Sequence, residues 1–155
     1  MTAYNLEHLT QTTPAVFGPI QDDEALLLYA AIRCRRSKVV LEAGGQTGYS
    51  ARNFLQAVGA DGVVFSVDTA PLETLAPNHV TIHGCISTVD PARLPPLDLV
   101  FYDCHEFDPQ LAFHRAAEKY GIIHDNTLLA IHDTGLHSYN CLLYTSPSPR
   151  DQRGS

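Results

Sequence analysis

Glu42, Gly44, Gly45 and Gly48 follow directly on the apolar run Val39-Val40-Leu41, and the helix-like Tyr49-Ser50-Ala51-Arg52-Asn53-Phe54-Leu55 comes straight after them. An apolar strand that ends in an acid and a glycine-rich turn opens onto a ligand of nucleotide size. Glycines let the backbone turn tightly and approach the ligand closely, and the next helix aims its unpaired N–H groups at the same place. A second apolar run, Val63-Val64-Phe65-Ser66-Val67, ends in Asp68. An acid about 20 residues past the glycines is placed to accept hydrogen bonds from ribose hydroxyls. Two further polar clusters follow apolar runs: Asp103-Cys104-His105-Glu106, and His132-Asp133-Thr134-Gly135. Carboxylates with side-chain oxygens suit a hard divalent cation such as Mg²⁺ better than zinc. Histidine can also serve as a base near neutral pH.

The elements that must position these residues alternate in type, which predicts an α/β fold with a parallel sheet. A helix is expected from Asp22 through Cys34, with acids in its first turn and Arg33, Arg35 and Arg36 in its last, as the helix dipole favours. Leu26, Leu27, Ala30 and Ala31 are its expected core stripe. Strand one spans Lys38–Leu41, and a helix follows from Tyr49 to Val58. Strand two is the run ending at Val67. Residues 71–78 form a short crossover with room for one helical turn, and strand three is His79–Ile82. Strand four is Leu97–Tyr102, a helix runs from Asp108 to Tyr120, and strand five is Thr127–Ile131.

No frame starting at Gly44 or Gly45 supplies the G-x-G-x-x-G of dinucleotide-binding turns. The order acid-x-Gly-x-x-x-Gly, through Glu42, Gly44 and Gly48, resembles motif I of the class I S-adenosylmethionine-dependent methyltransferases, with Asp68 as the acid of their second motif. The resemblance covers roughly residues 20–135 and implies a Rossmann-like, doubly wound parallel sheet of order 3-2-1-4-5. It further implies that Glu42 and the loop with Gly44, Gly45 and Gly48 hold the methionine end of the cofactor, with Tyr49 and Ser50 also in the cofactor site. Asp68 would take the ribose. The loop Gly84-Cys85-Ile86-Ser87 would take the adenine, Ser87 near the exocyclic amine and Cys85 and Ile86 as an apolar wall. Asp103 would contribute to the cofactor site and, with His105 and Asp133, to the transfer site; His132 is a further candidate base.

Asp103, Asp133 and Thr134 stand where catechol-type O-methyltransferases of this class place the Asp, Asp and Asn ligands of Mg²⁺ or another divalent metal. Thr134 replaces the amide, and Glu106 replaces a lysine near the acceptor. The clusters are closer to the broader "family 24" methyltransferases. O-methylation of a small-molecule or sugar-like acceptor is the implied chemistry. Two alternatives differ in class: a non-catalytic domain that keeps the cofactor pocket, and a metal-dependent hydrolase or nucleotide-binding enzyme using the Asp/His clusters.

A net charge of −7 and the lack of a basic run argue against nucleic acid as a partner. No apolar run reaches the roughly 20 residues of a membrane span, and no signal-peptide pattern opens the chain. Cys34, Cys85 and Cys104 lack C-x-x-C spacing and read as buried thiols of a cytoplasmic protein. Oligomerisation is compatible with all of this.

Three regions are expected: an N-terminal arm or lid over 1–18, a methyltransferase domain over 19–140, and a disordered tail over 141–155. The tail, from Cys141 to Asp151, reads as a translated sequencing adapter of the kind used in transposase-based libraries. On that reading the natural sequence stops near Asn140, short of the family's strands 6 and 7, and strand five is left as an exposed edge.

Overall fold

The computed structural model describes residues 20–104 and 106–132. The expected arm over 1–18, His105, Asp133, Thr134 and the tail over 141–155 lie outside the described residues.

Five strands form one parallel sheet: β1 (Val39–Ala43), β2 (Val63–Asp68), β3 (His79–His83), β4 (Leu99–Tyr102) and β5 (Leu128–Ile131). Their order is β3-β2-β1-β4-β5, as the resemblance implies. β1 is central, pairing Val40 with both Val64 of β2 and Leu99 of β4. A strand buried on both faces must be apolar on both, and side-chain alternation divides β1 between two cores. Val40 packs with α1 (Asp22–Arg35) and α2 (Tyr49–Val58), while Leu41 and Ala43 pack with α3 (Phe107–Lys119) and the short 3₁₀ turns Ile86–Thr88 and Pro91–Arg93. Helices therefore cover both faces, as a doubly wound sheet requires. Among the described residues β5 is an edge strand, and its Leu129 is 42% exposed.

Local chemistry sets where the elements begin and end. The Glu24 carboxylate accepts from the Gln21 backbone N–H at 2.7 Å, so the start of α1 is capped from within. Arg36, expected in the last turn, instead ends the helix in the left-handed region at φ 59°. Asp98 lies just before β4 rather than in it, and one oxygen, Oδ2, accepts from the backbone N–H groups of Lys38 and Val39 at 2.6 and 2.9 Å. That contact locks the start of β1 to β4. Thr127 likewise lies outside β5 and donates its hydroxyl to the Leu97 carbonyl at 2.7 Å.

Three expectations are corrected. The buried stripe of α1 is Ala25, Tyr29 and Ile32, not Leu26, Leu27, Ala30 and Ala31; Leu27 is 70% exposed. The spacing i, i+4, i+7 makes one helical face, and small Ala25 lets Asn53 of α2 donate to its carbonyl at 2.9 Å. The crossover over 71–78 forms no helix, only a single hydrogen-bonded turn in which the His79 N–H donates to the Ala76 carbonyl at 3.0 Å. It is spanned by Pro71 and Pro77, and the Leu75 N–H is taken by the His79 ring at 3.1 Å. Cys34 is exposed and Cys85 and Cys104 are half-buried, so none of the three is a fully buried thiol.

Phe54 has no exposed surface and meets Phe101 edge-on, with centroids 5.5 Å apart. Phe54→Ala is expected to cost about 3–5 kcal/mol of unfolding free energy in urea denaturation. A loss below about 1 kcal/mol would mean that the α1–α2 face is not packed as described.

Candidate active site at the strand C-termini

The site is assembled by letting the sheet ladder run one residue past its strands. Gly44 N–H donates to the Val67 carbonyl at 2.8 Å, Gly84 to Asp68 at 2.8 Å, Asp103 to Ala43 at 2.8 Å, and His132 to Tyr102 at 2.9 Å. Four loop-starting residues are thus held in one row along the C-terminal edge of the sheet. Ligands of open α/β sheets bind at this edge, where strand order reverses between β1 and β4.

A cavity of about 330 Å³ opens over the row, within the range of small-molecule sites. Its lining comes from the end of β1 and the glycine loop (Ala43, Gly44, Gln46), the end of β2 (Val67, Asp68, Thr69), the loop after β3 (Gly84, Cys85, Ile86) and the segment after β4 (Asp103, Cys104, Glu106). Gly44 is obligatory here. Its φ is +100°, and a Cβ would lie 2.6 Å from the Asp103 carbonyl oxygen. Gly48, at φ 75°, supplies the left-handed N-cap of α2.

Asp68 does two things. Its carboxylate accepts from Gln46 N–H at 2.9 Å and from Ala70 N–H at 2.8 Å, which pins the glycine loop to β2. Two backbone bonds do not exhaust the roughly four acceptor positions of a carboxylate, so acceptor capacity is left at the cavity wall. Burial raises the Cys104 thiol above its ordinary pKa, against a weaker opposing effect of the Gln110 side chain.

Glu42 is not at the cavity surface. It lies inside β1 with no exposed surface. The Ser50 hydroxyl donates to Oε1, and Ser66 Oγ donates to Oε2 at 2.6 Å. The network then continues with a single direction. Leu75 N–H donates to His79 Nδ1, which puts the ring proton on Nε2, and that group faces Ser66 Oγ at 2.9 Å. Burial lowers the His79 pKa, consistent with a neutral ring. Burial likewise pushes Glu42 up to about 7, against the two serine hydroxyls that favour its charged form; Asp103 and Asp68 add smaller upward pushes.

Of the expected site residues, Gly44, Asp68 and Asp103 share this cavity. Gly45 and Gly48 line a second cavity of about 230 Å³, with Ser66, Leu75 and His79. Ser50 is buried beneath the loop, and Tyr49 donates its hydroxyl to Asp22. Ser87 is exposed and donates to Cys85 Sγ at 3.3 Å, outside the lining, whereas Cys85 and Ile86 are part of it. Of the three expected metal ligands only Asp103 is described. One of its oxygens, Oδ1, accepts from His132 Nδ1 at 2.8 Å. No cluster of three metal-ligating side chains occurs among the described residues. Ser66, His79 and Gln46 are not signalled by the motif; the one available signal is a lone serine inside an otherwise apolar strand.

The Glu42 shift predicts a pH effect on stability. An acid whose folded pKa is raised stabilises the fold while protonated, fully below its unfolded value near 4.5, and that contribution is lost as pH rises through about 7. The gap corresponds to roughly 3 kcal/mol. Glu42→Gln, which cannot ionise, is expected to gain stability relative to the parent chain by up to about that amount between pH 4.5 and 8, read from urea denaturation at each pH. A difference that stays constant with pH would contradict a raised Glu42 pKa.

No protein-family model and no curated protein matches the chain significantly. Solved structures do. An O-methyltransferase from Bacillus cereus in complex with S-adenosylhomocysteine aligns over 88% of this chain and 67% of its own, at 16% identity and TM-score 0.67. An S-adenosylhomocysteine-bound methyltransferase from Podospora anserina aligns over 74% and 53%, at 16% identity and TM-score 0.65. The O-methyltransferase TomG from Streptomyces achromogenes, in complex with S-adenosylmethionine, aligns over 64% and 52%, at 22% identity and TM-score 0.53. The chain thus spans between about half and two thirds of these proteins. What it shares with them is the fold of the class I methyltransferases.

Proposed function

We propose that this chain is an S-adenosylmethionine-dependent methyltransferase domain acting on an oxygen of a small molecule. One observation carries the reading: Gly44 and Asp68 line a single cavity at the reversal of strand order, with acceptor capacity left on Asp68. The three neighbours described above bind S-adenosylmethionine or its product, which supports the same reading. The residues fit such a ligand by chemistry. Asp68 accepts from the two ribose hydroxyls, Cys85 and Ile86 give the adenine an apolar wall, and the Gly44 backbone lets the ligand lie close against β1. Glu42 acts from below, holding Ser50 and so the first turn of α2 against the loop.

The bound sulfonium would supply an activated methyl group, and its transfer is mainly a matter of positioning the two reactants. An oxygen acceptor must also lose a proton to a base within reach. The Asp103 carboxylate at the cavity wall, oriented by its bond with His132, is the described group suited to that task. His105 and Asp133 join the proposed transfer site by sequence position. A divalent metal on Asp103, Asp133 and Thr134 would have to share Asp103 with His132.

Titration calorimetry with S-adenosylhomocysteine tests the reading. Saturable binding is expected, weakened about tenfold or more in Asp68→Ala, the scale of losing one or two hydrogen bonds from a charged acceptor. Gly44→Ala is expected to be worse, because its Cβ displaces the Asp103 carbonyl. Absence of binding, together with tight Mn²⁺ binding, would favour a metal-dependent hydrolase instead. Binding without turnover of S-adenosylmethionine on phenol, carboxylate and sugar panels would favour a non-catalytic cofactor-binding domain.

A further inference from the structure

Three bonds join the first turn of α1 to the candidate site across most of the described chain. His132 Nδ1 lies 2.8 Å from Asp103 Oδ1, and its Nε2 lies 3.3 Å from Glu24 Oε2. Beside this bridge, the Tyr49 hydroxyl donates to Asp22, at the start of the helix that follows the glycine loop. We propose that Glu24 is a positioning residue for the cofactor and transfer site, acting through His132 on Asp103; the proposal rests on the methyltransferase reading.

Each link in the bridge is held at its own end. Glu24 is not a loose surface acid, because the same oxygen that faces His132 caps α1 by accepting from Gln21 N–H at 2.7 Å. The helix itself is fixed by buried Ala25, Tyr29 and Ile32 and by the Asn53 bond to the Ala25 carbonyl. The His132 backbone is held by its ladder bond to Tyr102, and its ring packs at 6.3 Å from the Phe101 ring. Both bonds form when the ring is the imidazolium, which donates from each nitrogen. Contact at both ends fixes the ring plane and rotamer, and those of the carboxylate it meets. Asp103 then matters twice: its side chain lines the cavity, and its carbonyl lies where any Cβ on residue 44 would fall. A turn or shift of Asp103 would be felt by both the ligand wall and the glycine loop.

The Glu24 side chain is 43% exposed, so its pairing with His132 would add little to stability by itself. What the bridge supplies is orientation, and orientation has a signature distinct from a general loss of fold. If Glu24 acts through Asp103, removing both groups should cost no more than removing Asp103 alone, whereas independent effects multiply.

The test is a double-mutant cycle on S-adenosylhomocysteine affinity, by calorimetry, with Glu24→Leu, Asp103→Asn and the double variant. Each single variant is expected to weaken binding about fivefold or more, and the double variant to lie within about twofold of Asp103→Asn. Glu24→Gln keeps an acceptor for the His132 ring and for the α1 cap, and should bind within about threefold of the parent chain. Asp23→Ala removes a neighbouring cap, the 3.0 Å acceptor of Glu24 N–H, without touching His132. It should lower the melting temperature and leave affinity within about twofold. Four results would each overturn the proposal: multiplicative weakening in the double variant, Glu24→Gln binding as weakly as Glu24→Leu, Asp23→Ala weakening affinity as much as Glu24→Leu, or single variants that bind like the parent. A parent chain that binds no S-adenosylhomocysteine would instead overturn the methyltransferase reading beneath it.

Discussion

A carboxyl group enclosed at the centre of a parallel sheet must be neutralised or given hydrogen bonds, because burying it bare costs several kcal/mol or more. Glu42 meets that constraint with two serine hydroxyls, and the partners it recruits organise the molecule. Ser50 comes from the first turn of α2, Ser66 from β2, and His79 behind Ser66 from β3. The Leu75 N–H brings in the crossover between β2 and β3. Three strands, a helix and a connection are thereby referred to one side chain. The glycine loop closes the short gap between Glu42 and Ser50, so its path is set from both ends.

On this base the sheet edge becomes a site through a simple device. Each of the loops after β1, β3 (through Gly84 N–H to the Asp68 carbonyl), β4 and β5 begins with a backbone bond that prolongs the ladder. Site residues inherit the rigidity of strands while their side chains face open space. Asp68 shows the economy of the arrangement, since the carboxylate that pins the loop also presents its remaining acceptor capacity to the cavity. The same placement explains why Gly44 admits no side chain: β1 and β4 are adjacent strands, and their outgoing backbones converge there.

The strands and the glycine loop are legible in the sequence because both are local patterns: apolar runs of strand length, and glycines at fixed distance from an acid. The strand order follows only through the family resemblance that the loop carries. What escapes it is non-local or turns on a single residue of register. Leu26 and Leu27 look like core, yet Ala25, Tyr29 and Ile32 face the sheet, because the close approach of α2 favours a small residue at 25. Glu42 looks like a strand-tip ligand, but it lies two residues after Val40 and so points to the same side, beneath α2. Alternation contains that answer, and the motif pattern obscures it. Glu24 and His132 are 108 residues apart, and nothing in either neighbourhood signals the pairing. The helix dipole alone accounts for an acid at Glu24, which is true of its position and silent about its partner.

The two halves of the site differ in how they are built. The proposed cofactor half is contained in β1, β2, β3 and the loops they carry. The proposed acceptor half depends on Asp103 and on groups reaching it from the end of β5 and from α1. The most direct measurement is a crystal structure of the chain with S-adenosylhomocysteine. Ribose hydroxyls within hydrogen-bond distance of Asp68, with the adenine against Cys85 and Ile86, is the predicted result. A ligand bound elsewhere, or an Asp68 engaged only by Gln46 and Ala70 while the cavity stays closed to the nucleoside, would contradict it.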